Sequence, residues 1–215
     1  MKLHIESFTF NPFQENTYVV YTDTKDAVIV DPGCYTREEK QHLIDFITDN
    51  QLTIHAILNT HCHIDHVLGN SFLMQEYRVD LYAHPLDLPT LEMVPYAAKM
   101  YGFEGYETSP LPTQLLADEQ TLQFGGIVLN VLVGPGHAPG HVAFYNAENG
   151  IILSGDILFR GSFGRYDLPG GDLETLKKTL KEVMFQLPAE TIVYSGHGIE
   201  TTIGEEKKFN PIWNY

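Results

Sequence analysis

The chain has 215 residues, with 28 acidic against 13 basic side chains and a formal net charge of −15. A surface of that sign repels phosphate backbones and anionic lipid unless its bases gather on one face, and the densest groupings, Lys177, Lys178 and Lys181 and the pair Lys207 and Lys208, are too small for that. No apolar run is long enough to cross a bilayer, no charged-then-apolar leader opens the sequence, and Cys34 and Cys62 are too few for a disulfide framework, so the expectation is one soluble, cytoplasmic domain over residues 1–215 with no nucleic-acid or membrane partner.

The predicted elements begin with strands: IESFTF (5–10), NTYVVYT (16–22) and AVIVDPG (27–33), punctuated by Asn11-Pro12 and Asp31-Pro32-Gly33. A helix follows, opened by the capping-box pair Thr36 and Glu39, with Leu43, Ile44 and Ile47 at helical spacing. Then come a short apolar strand, IHAIL (54–58), a helix through Phe72 and Leu73, and a strand at LYAH (81–84). Residues 85–118 read as a helix over Leu91–Met100 and a loop rich in Gly, Pro and Tyr, placed to cover a site. The second half repeats the scheme: strands IVLNVLVG (127–134), HVAFYNA (141–147) and GIILSGD (150–156), a helix opening at Asp172 with Leu173, Leu176, Leu180, Val183 and Met184 on one face, and strand TIVYSG (191–196). Two halves of this kind pack sheet against sheet with helices outside, an α/β four-layer αββα sandwich.

Polar, titratable residues collect where the apolar strands end. His61, His63, Asp65 and His66 follow the strand at 54–58; His137 lies in GPGHAPGH (134–141); Asp156 closes IILSGD; His197 follows TIVYSG. One histidine in a polar loop means little. Seven imidazole and carboxylate groups recurring at strand ends, which converge on one edge of an α/β sheet, point to a metal centre. His141 is a candidate for orienting a ligand or an ordinary strand-start histidine; Asp31 is a turn residue or an orienting acid. Cys62 reads as a small buried hydrophobe and His84 as a core or loop hydrogen-bonding group. Arg165, in a chain poor in bases, either binds a substrate carboxylate through its planar fork or pairs with Asp167 or Asp172, and Tyr166 is a candidate pocket wall.

The pattern HxHxDH, a distant GHxxGH, a strand ending in GD and a final GHG resembles the metallo-β-lactamase superfamily over nearly the whole chain. DPG at 31, SGDILF (154–159), GRYDLPGGD (164–172) and TTIGEEKKFNP (201–211) resemble its branch related to hydroxyacylglutathione hydrolase, the glyoxalase II enzymes. The resemblance implies two divalent metal ions, zinc by default with iron or manganese as alternatives: His61, His63 and His137 on one, Asp65, His66 and His197 on the other, and Asp156 bridging. It further implies attack of a bridging hydroxide on the carbonyl of a small thioester such as S-lactoylglutathione, with Asp65 and Asp156 as the catalytic carboxylates. Lactamases of the zinc type typically carry cysteine where this chain has Asp156, which argues against antibiotic hydrolysis. A mononuclear iron persulfide dioxygenase on the same fold is the alternative, a metal-holding protein without turnover is a weaker one, and a nuclease is disfavoured by the acidic charge.

Overall fold

Alternating burial along the strands decides how the two halves meet, and the computed structural model describes residues 1–215. The first sheet takes its strands in chain order: β1 (Leu3–Phe10), β2 (Glu15–Thr22), β3 (Asp26–Val30), β4 (Thr53–Leu58), β5 (Asp80–Ala83) and β6 (Gln114–Leu115). The first three pair antiparallel, and β3 to β6 pair in parallel. Parallel neighbours need crossovers, supplied here by α1 (Arg37–Asp49), then α2 (Ile64–Val67) and α3 (Asn70–Tyr77), then α4 (Leu88–Tyr101).

The second sheet is built from β7 (Thr121–Phe124), β8 (Ile127–Val133), β9 (Val142–Asn146) and β10 (Ile151–Gly155). A small hairpin, β11 (Leu158–Phe159) with β12 (Ser162–Phe163), and α5 (Leu173–Glu182) lead to β13 (Ile192–Ser195), which lies parallel to β10. The edge strand β14 (Thr201–Thr202) and α6 (Ile203–Phe209) close the chain, giving the spatial order β14-β13-β10-β9-β8-β7.

Val28, Val30, Ala56 and Leu58 of the first sheet share one core with Leu129, Val131, Phe144 and Leu153 of the second. Their alternate neighbours face outward, Ala27, Ile29 and Ile57 onto Leu43 and Ile47 of α1 and Leu73 of α3, and Ala143, Ile152 and Val193 onto Leu176 and Leu180 of α5. The four layers follow from this alternation, since each fully buried Val, Leu or Ile contributes about 1.5–3 kcal/mol and both sheet faces are apolar. No helix is long and apolar enough to cross a membrane.

Thr36 and Glu39 form the expected capping box, and Asp172 caps α5 by accepting the Thr175 N–H at 2.7 Å. That helix ends at Glu182, so Val183 and Met184 fall in a following tight turn, where Met184 is still buried. The helix expected over Leu91–Met100 extends to Leu88–Tyr101 and contains Pro95. The sequence reading does not include the short elements α2, β6, β7, the β11–β12 hairpin and β14, nor α6, although α6 carries a legible signal: Thr202 accepts the N–H of Glu205, the Thr-x-x-Glu spacing of a helix start.

Candidate metal centre

β4, the β8–β9 turn, β10 and β13 all deliver their last residues to one edge of the sandwich, and there the seven candidate ligands come together. Nδ1 of His63 lies 2.8 Å from Nε2 of His137, which is 3.3 Å from Nε2 of His61. Nitrogens 2.0–2.1 Å from a common tetrahedral ion stand about 3.3 Å apart, so the three atoms have the spacing of one coordination shell. Beside them, Nε2 of His197 is 3.2 Å from an oxygen of Asp65, and Nε2 of His66 is 3.7 Å from the same oxygen. Asp156 stands between the groups: one oxygen is 3.5 Å from both His137 and His197, the other 3.5 Å from His66.

The outward ring nitrogens fix which lone pairs face the centre. His137 donates from Nδ1 to the carbonyl of Arg165 (2.7 Å), His66 to the carboxylate of Asp31 (3.2 Å) and His197 to the carbonyl of Gln14 (3.2 Å), while Nδ1 of His61 meets Oγ1 of Thr60 (3.1 Å). With those protons placed outside, the Nε2 lone pairs converge. Nε2 of His66 and Oδ1 of Asp156 are buried with no hydrogen-bond partner at all. Orphaned buried polar atoms are costly, and ring nitrogens and carboxylate oxygens aimed at one point are what divalent cations satisfy; five imidazoles and two carboxylates suit zinc, iron and manganese.

Asp31 comes within reach of His61 and His66, but its carboxylate already accepts the Thr60 N–H at 2.7 Å, the Thr60 hydroxyl and the His66 ring. It orients ligands, and it is also the turn residue, with φ 48°. His141 does its work from the other side: Nδ1 donates to the Val142 carbonyl, Nε2 accepts the Asp156 N–H at 3.0 Å, and the ring stacks on His61 at 4.5 Å.

The sequence description of the Metallo-beta-lactamase superfamily matches residues 10–197. The chain belongs to that superfamily. Within it, the chain is similar to hydroxyacylglutathione hydrolase GloC of Haemophilus influenzae, 35% identical over 214 residues that make up 99% of each chain. Among solved structures it is similar to the BLEG-1 B3 metallo-beta-lactamase (TM-score 0.89, 35% identity, 99% of this chain and 100% of that one). It is likewise similar to TTHA1623 in a di-iron-bound form (TM-score 0.84, 43% identity, 96% and 98%).

Other residues of this metallo-beta-lactamase superfamily member take plainer places. Arg165 pairs through two nitrogens with Asp167 at 2.8 and 2.9 Å, both side chains exposed, while its carbonyl holds His137. Tyr166 is next to it in the same loop, half-buried. Cys62 is buried among Ile64, Val67 and Leu91, and burial pushes its thiol well above the usual range, so it packs rather than reacts. His84 accepts the Leu86 N–H. Lys207 donates to the Phe185 carbonyl at the foot of α5.

Two residues missed by sequence reading brace the second cluster from the β1–β2 turn and the start of β2. Asn11, at φ 52°, donates to the carbonyls of Gly33 and Asp65, and Asn16 donates to those of Ser195 and Gly198, on either side of His197. Glu15, wholly buried and pushed up by burial, lies 4.0 Å from His66.

Electrostatics separate the two clusters. Burial, then neighbouring imidazoles, drives His61 far below the ordinary histidine range and His63 down to about 3. Burial acts the same way on His66 and His197, but Asp156 and Asp65 outweigh it and hold both above that range. Near neutral pH His61 and His63 are therefore uncharged, whereas an ion entering the second cluster must displace the added protons of His66 and His197. Dialysis at stepped pH with metal analysis should show metal held by Asp65, His66 and His197 leaving before metal held by His61, His63 and His137 as pH is lowered. Loss of both ions together would contradict this asymmetry.

Proposed function

We propose that the protein is a metal-dependent thioester hydrolase, acting on S-lactoylglutathione among other acyl thioesters, with two divalent ions on the seven residues. The observation that carries the reading is the convergence of ring nitrogens and carboxylate oxygens, with His66 Nε2 and Asp156 Oδ1 buried there without partners. Two bound ions supply an acidified water and take up charge developing on the substrate carbonyl.

The chain's own residues do the rest. Asp156 reaches both clusters, and its position is set by His141 through the backbone N–H. Asp65 is fixed by His197 on its side chain and by Asn11 on its carbonyl. No side chain here stands apart as a general acid, and a thioester needs none: its leaving thiolate has a pKa near 8.5. The likeness to GloC supports this substrate class. The di-iron form of TTHA1623 supports iron as an occupant beside zinc and manganese.

Specificity for the thiol portion is expected to be weak. Arg165 is committed to Asp167 and Lys207 to the Phe185 carbonyl, which leaves neither base free for the carboxylates of a glutathione unit. Remote contacts are what give selectivity and affinity, so thioesters of other thiols should turn over comparably. A second reading, β-lactam hydrolysis, is favoured by the name of the BLEG-1 structure, which stands against the argument from Asp156. The persulfide dioxygenase reading uses one iron and leaves Asp65, His66 and His197 without a task.

Metal analysis with parallel assays tests these readings. The expected result is roughly two ions per chain, hydrolysis of S-lactoylglutathione that falls to background with a strong chelator and returns on adding metal, and no oxygen uptake with a persulfide. Full activity at one ion per chain would overturn the two-ion reading. Cleavage of a chromogenic cephalosporin without thioester hydrolysis would overturn the substrate class.

A further inference from the structure

The loops bearing the first cluster come from different sheets: His61 and His63 follow β4, and His137 lies between β8 and β9. One direct tie joins them, the Val142 N–H donating to the Thr60 carbonyl at 2.8 Å; a second comes from a residue of neither. Asp87, just ahead of α4, is wholly buried. Its Oδ2 accepts the backbone N–H of Cys62, the residue between His61 and His63. Its Oδ1 accepts the backbone N–H of Gly140 at 3.2 Å, three residues beyond His137. A Cβ at Gly140 would lie 2.5 Å from the Asp87 nitrogen, so only glycine permits this approach.

We propose that Asp87 is a positioning residue of the metal centre: by tying the Cys62 and Gly140 amides to one carboxylate, it fixes the separation of His61 and His63 from His137 and so sets how tightly that cluster binds an ion. The competing account is that Asp87 serves only as the acid at the start of α4. Its side chain makes no capping bond to a backbone N–H of that helix; the helix contact is Oδ1 accepting the Thr90 hydroxyl at 3.3 Å. The two roles therefore separate by substitution. Asn at 87 keeps one acceptor oxygen and turns an NH2 toward the other loop amide, Ala removes both ties, and Thr90→Val removes only the helix contact.

The inference rests on His61, His63 and His137 being ligands, so His63→Ala is measured alongside. Purified full-length variants are titrated with zinc against a chromophoric chelator, and cobalt(II)-substituted samples are compared by their d–d bands. Residues that orient metal ligands typically change affinity by about 10–100-fold. Asp87→Asn should weaken the tighter site by about tenfold or more and shift the cobalt bands, with the metal-free melting temperature close to that of the parent. Asp87→Ala should exceed it, and Thr90→Val should match the parent in both. Parental affinity and bands in Asp87→Asn would overturn the proposal, even if Asp87→Ala fails to fold. So would affinity falling only in step with metal-free stability across all three variants. Parental affinity in His63→Ala would overturn the ligand reading, and this inference with it.

Discussion

Asp156→Asn lowers turnover by about 10²–10⁴-fold, whereas Arg165→Ala leaves turnover unchanged and raises KM by at most about fivefold. The first figure follows from what the carboxylate faces: His66, His137 and His197, each with a ring nitrogen 3.5 Å away, in a buried centre. Burial alone would raise the pKa of this carboxyl, yet the surrounding imidazoles hold it well below the usual range, a sign of how strongly the site favours the anion. Removing one partner of a buried charge cluster costs about 3–5 kcal/mol, and each 1.4 kcal/mol is tenfold. Arg165 and Asp167 are both exposed, and such pairs contribute little. Steady-state kinetics with metal analysis on each variant checks this. Equal losses of turnover would place the arginine side chain in the chemistry, since its contribution to His137 is a carbonyl that alanine retains.

Gly196→Ala lowers the metal content and lowers activity by at least about 100-fold without unfolding the protein. A Cβ there would sit 2.1 Å from Oδ1 of Asp156 and 2.8 Å from Cε1 of His66. The backbone cannot retreat, because the Gly196 N–H donates to the Gly155 carbonyl at 2.8 Å and its own carbonyl accepts the Asn16 N–H at 2.7 Å. The methyl therefore displaces the carboxylate or the ring. Overpacking of this kind costs about 1–3 kcal/mol, which a folded domain survives, while the coordination geometry does not. Circular dichroism and metal content, measured together, separate the outcomes. Metal content equal to the parent's in a folded Gly196→Ala variant would show that the site tolerates the shift.

The seven ligand candidates were legible because imidazole and carboxylate at strand ends are rare enough in combination to be read from residue type. The long strands were legible for a similar reason, as Val28 and Val30 alternate with Ala27 and Ile29. What orients the ligands was less so. Gln14 and Arg165 serve through main-chain carbonyls, which every residue possesses, so no side chain marks the position. The sequence drew attention to the Arg165 guanidinium because bases are scarce, and the structure gives that group only Asp167. Asp87 stood one turn beyond His84, the residue in LYAHPLD that looked chemical. Its neighbours Cys62 and Gly140 lie 25 and 53 positions away, a proximity no local pattern records. The two-residue strands β6, β11, β12 and β14 are too short for any periodicity.

The grip of the β1–β2 turn on His197 joins residues 183 positions apart, and Asn16 reaches Gly198 across 182. Closing so long a loop is entropically slow, and during synthesis the β1–β2 hairpin must wait, its partner unmade, until the chain through Gly198 has left the ribosome. The three-imidazole cluster is complete in sequence sixty residues earlier, at His137. Assembly of the candidate centre is thus staged, and its second half acts as a seal that forms only once two segments far apart in sequence have found each other.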